Sequence, residues 1–294
     1  MRVLGFPDYE PQARALADAL DAPCDIVDIH RFPDGESRVR LSADLGGEVL
    51  LCRSLDQPND KLVDLLLAAG GARSIGATHL TLVAPYLCYM RQDKSFVPGE
   101  VVSQQVVGRF LAGCFDGIVT VDPHLHRVSS LAEAVPAARA VALSAAPAMG
   151  EYLAARGARP LLVGPDQESE QWLRTVAHRA RLDYAVARKI RRGDRDVEII
   201  LPERSYAGFE VVLVDDMAST GRTLAGAARA LTAAGAVRVD ALVTHALFVG
   251  DALDVMVGAG IGEIWSSDSV SHPSNAFALA DTLASAIAER NADK

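Results

Sequence analysis

Short apolar runs and longer amphipathic ones alternate along most of the chain. Glu48–Cys52, Leu80–Ala84, Gly117–Val121, Arg159–Val163, Val211–Val214 and Ala241–Leu247 are brief, rich in β-branched residues and bounded by Gly, Pro or Asp, which predicts buried strands. Between them, Pro11–Leu20, Asp60–Gly70, Ser103–Ala112, Pro147–Arg156, Glu170–Arg181 and Thr223–Gly235 are Ala- and Leu-rich with helical period. Such alternation predicts an α/β fold of βαβ units, with mainly parallel sheets flanked by helices on both faces. In sheets of this kind ligands bind beyond the carboxyl ends of the strands, so the residues that follow each strand carry the functional question.

A length of 294 residues suits two ordinary domains. The stretch Ala132–Ala148, rich in Ala, Pro and Ser, lies near the midpoint and predicts a boundary between domains 1–144 and 145–294. Each half has a strand that ends in an acidic loop, a hint of duplication that no repeat of residue identity supports. Ser266–Arg290, an SHPSNAF turn followed by an Ala-rich amphipathic helix, is expected to pack on the body and reach toward the first half.

Composition narrows the function. No apolar run approaches the roughly 20 residues that span a bilayer, and Met1-Arg2 lead directly into a strand-like stretch, so the expectation is a cytoplasmic protein without a membrane partner. Cys24, Cys52, Cys88 and Cys114 are scattered without a C-x-x-C pair, which suggests neither a zinc knuckle nor a disulfide framework. A net charge of −9 argues against a broad nucleic-acid surface but leaves room for a small anion held by a local cluster of donors.

The strongest chemical signal is VVLVDDMASTGRT at 211–223: a strand, two adjacent carboxylates, a small polar turn and a helix start. Ser219, Thr220, Gly221 and Thr223 offer hydroxyls and free N–H groups where a helix dipole favours an anion. Asp215 and Asp216 would repel a bare phosphate, so the ligand must also donate protons or bring a cation. A sugar phosphate does this, its hydroxyls facing the carboxylates and its phosphate the turn. N-capping alone needs one acid, not two with four loop donors.

This segment resembles the ribose-phosphate loop shared by type I phosphoribosyltransferases and ribose-phosphate pyrophosphokinases. Three further segments resemble the pyrophosphokinases, especially the archaeal-type members: RFPDGE at 31–36, APYLCYMRQDKSFVPGE at 84–100 and TVDPHLH at 120–126. Read from its residues alone, RFPDGE is a Pro-Asp-Gly turn between extended runs and RQDK a charged loop after a strand.

The resemblance implies two phosphoribosyltransferase-like domains and a magnesium-dependent transfer of the pyrophosphoryl group of ATP to the anomeric hydroxyl of ribose 5-phosphate. It assigns Phe32, Asp34, Glu36, Arg91, Gln92 and Asp93 to ATP, with the Phe32–Glu36 loop closing on the adenine from a neighbouring subunit. A homo-oligomer, at least a dimer, follows from that. Asp215, Asp216, Ser219, Thr220, Gly221, Arg222 and Thr223 are assigned to ribose 5-phosphate, and His124 and Asp166 to Mg2+. Magnesium prefers oxygen ligands, so His124 would act through water or phosphate. Lys189 and Arg191, in ARKIRRGDRDVE at 187–198, match a mobile catalytic loop and would neutralise charge at the transferred phosphates.

Two departures bear on specificity. Pro165-Asp166 is followed by Gln167-Glu168-Ser169 where the family commonly has Ala-Gly-Gly, and Arg222 stands where Gly is frequent. Two other functions share the phosphate loop: a phosphoribosyltransferase, which leaves RFPDGE and RQDK unexplained, and a catalytically silent regulatory paralogue, which would be expected to have lost Lys189, Arg191 or the paired acids.

Overall fold

The computed structural model describes residues 1–125, 127–191 and 197–292. Two compact units are present: Met1–Leu143 with Ala280–Lys294, and Ser144–Leu279. In the first, the elements run β1 (Arg2–Gly5), α1 (Glu10–Ala19), β2 (Cys24–Ile26), β3 (Asp28–Arg31), β4 (Ser37–Arg40), β5 (Gly47–Cys52), α2 (Pro58–Ser74), β6 (Ala77–Val83), α3 (Ser103–Cys114), β7 (Gly117–Val121), α4 (Leu131–Ala134) and β8 (Arg139–Leu143). The second begins with α5 (Ala146–Ala155), β9 (Leu161–Gly164), α6 (Glu170–Ala180), β10 (Tyr184–Val186), β11 (Arg188–Arg191) and β12 (Val197–Ile200). It continues with β13 (Glu210–Ala218), α7 (Arg222–Ala233), β14 (Arg238–Ala246), α8 (Ala252–Val257), β15 (Ile261–Ser267) and β16 (Asn275–Phe277). The last helix, α9 (Ala280–Ala292), packs in the first unit against α1 and β8.

Each unit holds a six-stranded parallel sheet, ordered β2-β1-β5-β6-β7-β8 in the first and β10-β9-β13-β14-β15-β16 in the second. Adding eight to each strand of the first order gives the second, and each unit also has a separate antiparallel hairpin at the same place in its order, β3–β4 and β11–β12. The topology therefore carries the duplication that residue identity does not.

The cores follow from the strand period. Val211 and Leu213 of β13 pack with Leu224, Ala228 and Leu231 of α7. Val212 and Val214 point to the opposite face, against Met149 and Leu153 of α5 and Leu173 and Val176 of α6. A strand buried on both faces reads as a continuous apolar run, which is how β5, β7 and β13 appear in the sequence. In the first unit Leu51, Leu82 and Ile118 meet Leu65, Ala68 and Ala72 of α2 and Leu111 of α3.

The predicted boundary Ala132–Ala148 is not a plain linker: it contains the end of α4, the whole of β8 and the start of α5. As the outermost strand, β8 is only half-buried, so Arg139–Leu143 lacks the continuous apolar signature of a central strand. RFPDGE, read as a turn between extended runs, is the tip of the β3–β4 hairpin.

Candidate active site

In both sheets the chain reverses direction of winding between the second and third strands, leaving a crevice at the carboxyl ends of β1 and β5 in one unit and of β9 and β13 in the other. In the second unit this crevice is acidic. β9 ends in Gly164, then Pro165-Asp166 turn the chain into α6. A side chain at Gly164 would meet Ser169 Oγ at 2.3 Å, so the strand end has room only for glycine there. Ser169 Oγ donates to the Asp166 carbonyl at 2.6 Å, and Glu168 N–H donates to Asp166 Oδ1 at 3.1 Å. Of the Gln-Glu-Ser departure, the buried Ser169 side chain helps to close the turn that holds Asp166, while Gln167 and Glu168 are exposed.

Asp215 and Asp216 lie near the end of β13, where Asp216 is buried and Asp215 half-buried. Burial, the neighbouring Asp216 and then Asp166 raise the Asp215 carboxyl well above the ordinary carboxylate value, while its bond from Asp216 N–H and the Lys189 charge oppose the rise. Lys189 Nζ stands 3.9 Å from Asp166 Oδ2 and donates to Thr223 Oγ1 at 3.0 Å. The structure therefore brings Asp166, Lys189, Asp215, Asp216 and Thr223 into one cluster. Arg191 closes β11 opposite Val197; its side chain, with residues 192–196, lies outside the described residues.

The candidate anion cradle is the turn from β13 into α7. Gly221 precedes the first residue of the helix, Arg222, with φ of 68°, and a Cβ there would lie 2.7 Å from Met256 Cγ and 2.9 Å from the Ala252 carbonyl. Val249 N–H donates to the Ser219 carbonyl at 2.8 Å and fixes the turn from the neighbouring loop. Thr220 and Arg222 are exposed, Ser219 and Thr223 half-buried.

In the first unit, Phe32, Asp34 and Glu36 are exposed at the hairpin tip, where Asp34 Oδ1 accepts the Glu36 N–H at 3.1 Å. Arg91, Gln92 and Asp93 follow β6 in a loop organised by Glu100, which takes Gln92 Nε2 at 2.6 Å and the N–H groups of Phe96 and Val97. Those bonds, Phe96 first, hold the Glu100 carboxyl below its ordinary value. Arg91 is exposed, but the Asp93 carboxylate is 1% exposed and accepts from Arg127 Nη1 at 2.6 Å, which ties this loop to the one after β7. His124 lies in that second loop, half-buried, and His126 falls outside the described residues.

Tyr89, Asp122 and Phe248 have left-handed φ of 60°, 38° and 34°, all in loops at the carboxyl ends of strands, where strain of this kind gathers at functional sites. Among the described residues no group of three or more His, Cys, Asp or Glu is placed to hold a metal ion, and no helix is long and apolar enough to cross a membrane.

The first unit's crevice holds a network that the sequence reading missed. Arg53 Nε donates to Asp8 at 3.0 Å and Arg53 Nη1 to Asp64 at 3.1 Å, while Lys61 pairs with Asp8 and Asp56 at 2.9 and 2.7 Å. Burial works to raise the Asp8 carboxyl, but the Arg53 and Lys61 charges outweigh it and hold the group below its ordinary value. The available signal was Gly5-Phe6-Pro7-Asp8, which resembles Gly164-Pro165-Asp166 at the equivalent strand end.

Comparison with known proteins follows the same division. Residues 1–114 match the family described as the N-terminal domain of ribose phosphate pyrophosphokinase, and residues 132–251 the phosphoribosyl transferase domain. The chain is 37% identical over 291 residues to a ribose-phosphate pyrophosphokinase of Methanopyrus kandleri, covering 98% of each. It is 31% identical over 288 residues to one of Methanosarcina acetivorans, covering 98% of this chain and 99% of that one. A phosphoribosylpyrophosphate synthetase from Mycobacterium smegmatis shares the fold with a TM-score of 0.84 at 22% identity, over 100% of both chains.

Proposed function

The chain belongs to the ribose-phosphate pyrophosphokinase family, and on that basis we propose that it transfers the pyrophosphoryl group of ATP to ribose 5-phosphate, releasing AMP. The observation that carries this reading is the second unit's cluster: Asp215, Asp216 and Asp166 crowded beside Lys189, next to a helix start built for an anion. Ribose hydroxyls donate to Asp215 and Asp216, which offsets the burial and then the carboxylate repulsion that raise Asp215, and the 5-phosphate takes the N–H groups and hydroxyls of Ser219–Thr223. Arg222 adds a charged donor beside that cradle.

On this reading the anomeric oxygen attacks the β-phosphorus in line, its bond forms as the bond from that phosphorus to the α-phosphate oxygen breaks, and the hydroxyl proton is lost to solvent. Lys189 and Arg191 neutralise charge on the transferred phosphates. ATP is held by Phe32, Asp34 and Glu36, with Arg91 and Gln92 on its phosphates and Asp93 supporting their loop through Arg127.

Magnesium fits the chemistry present: Asp166 and Asp215 offer hard oxygens where negative charge is in excess. Asp166 is the proposed acidic contact to magnesium in the second unit, and in the first unit His124 is proposed to act on magnesium only through water or a phosphate oxygen. When bound, the ion would draw charge from the phosphate oxygens during transfer. A homo-oligomer, in which the Phe32–Glu36 tip serves a neighbouring subunit's nucleotide, belongs to the same proposal.

Incubation of the purified protein with magnesium, ATP and ribose 5-phosphate is expected to yield AMP and phosphoribosyl pyrophosphate in equal amounts. A protein that binds the activated sugar but forms no AMP would instead be a transferase or a regulatory subunit.

A further inference from the structure

The tip of the β3–β4 hairpin has no core of its own. Residues 31–36 are all exposed, and the hairpin's apolar residues Ile29 and Val39 pack on the unit's core further back. Within the tip the backbone closes on itself: Phe32 N–H donates to the Glu36 carbonyl at 2.8 Å, and Gly35 N–H to the Phe32 carbonyl at 2.9 Å. These bonds set the shape of the turn but not its direction relative to the sheet.

Direction comes from Arg31, the last residue of β3. Its Nη1 donates to Ser37 Oγ across the hairpin, and its Nη2 donates to Asp64 Oδ2 of α2 at 2.9 Å. The Asp64 side chain is 0% exposed, and Arg53 Nη1 reaches the same oxygen at 3.1 Å. Arg53 is itself immobilised, by Asp8 and by the Phe6 ring 4.4 Å beneath its guanidinium. The anchor is therefore rigid before Arg31 engages it.

Stability alone does not account for Asp64. Its Oδ1 is buried and accepts no hydrogen bond among the described residues, and a buried carboxylate with an orphaned oxygen costs more than an apolar residue of similar size. What the carboxylate does provide is a fixed point for a charge-assisted bond from a side chain adjacent to Phe32.

We infer that Arg31, seated on Asp64, is a positioning residue that aims the Phe32–Glu36 tip at the nucleotide. The inference rests on the proposed ATP role of that tip. A planar guanidinium that spans Ser37 and Asp64 fixes the base of the turn in two directions, so its loss frees the tip to swing without unfolding the sheet.

The test is steady-state kinetics of Arg31→Ala, Arg31→Lys, Asp64→Asn and Phe32→Ala, with KM measured separately for ATP and for ribose 5-phosphate. Arg31→Ala is expected to raise KM for ATP roughly tenfold, the scale of one charge-assisted hydrogen bond, and to leave KM for ribose 5-phosphate and kcat at saturating ATP within about twofold. Arg31→Lys should recover part of the loss. Asp64→Asn should reproduce the ATP effect and add little to it in the double variant, because the two residues act as one.

An unchanged KM for ATP in Arg31→Ala, with a raised one in Phe32→Ala, would overturn the positioning role and leave the ATP reading of the tip intact. If Phe32→Ala itself leaves KM for ATP unchanged, the reading of the tip fails and the inference with it. Equal losses for both substrates with a lowered Tm, or additive effects of Arg31→Ala and Asp64→Asn, would mark a general structural role and contradict it.

Discussion

Asp215, the residue proposed to meet the ribose hydroxyls, is placed where its charge opposes stability. Its carboxyl is raised by burial and by two neighbouring acids, so in the folded protein it holds its proton at pH values where the unfolded chain has lost it. Between the ordinary carboxylate value and the raised folded value, stability falls as pH rises, and above that window the full penalty remains. Asp215→Asn is therefore expected to raise Tm at neutral pH while lowering turnover by on the order of a hundredfold, as for loss of a group that contacts the reacting sugar. A thermal melt and an activity measurement on the same sample check both signs; a variant that melts lower would show that the acid is satisfied in the free protein. Cys88 lies at the other extreme: burial pushes its thiol up to about 12, which fits a small apolar core residue and no chemistry.

Among the elements, the β13–α7 segment was legible in outline, since small polar residues and a helix period each have a local physical cause, but β13 runs on to Ala218 and the acid pair read as following the strand lies within it. Central strands were legible as well, because burial on both faces leaves a continuous apolar run. β8, β10 and β16 were not, because three to five partly exposed residues at a sheet edge carry little pattern. The Arg53–Asp8–Asp64 network was invisible for another reason: its members lie 45 and 11 residues apart and are joined only by the topology. Turn geometry also predicts its own mutant. Gly221→Ala must adopt φ of 68° and place a methyl 2.7 Å from Met256, so a loss of about 2 kcal/mol in unfolding free energy and weaker ribose 5-phosphate binding are expected. Denaturant unfolding measures the first, and wild-type stability in this variant would contradict the reading of α7's start.

For the whole molecule, the two units share one strand order but have filled the same crevice differently. In the second, Asp166 and the Asp215–Asp216 pair lie beside Lys189 and the candidate anion cradle. In the first, Arg53 pairs with Asp8 and Asp64, and Lys61 with Asp8 and Asp56, so the crevice is lined by ion pairs. On the proposed reading the duplicated fold holds one sugar site, and equilibrium binding of ribose 5-phosphate is expected to saturate at one equivalent per chain. A second equivalent of equal affinity would mean that the ion-paired crevice opens. The sequence hinted at duplication through an acidic loop after a strand in each half, but only the paired sheets show which ends correspond: Pro7-Asp8 after β1 and Pro165-Asp166 after β9.

Pyrophosphoryl transfer is followed with ATP labelled at the β-phosphorus, incubated with the protein, magnesium and ribose 5-phosphate. The label is expected to pass entirely to phosphoribosyl pyrophosphate, and the AMP formed to carry none. Label released as free phosphate or ADP, with no labelled sugar product, would contradict it.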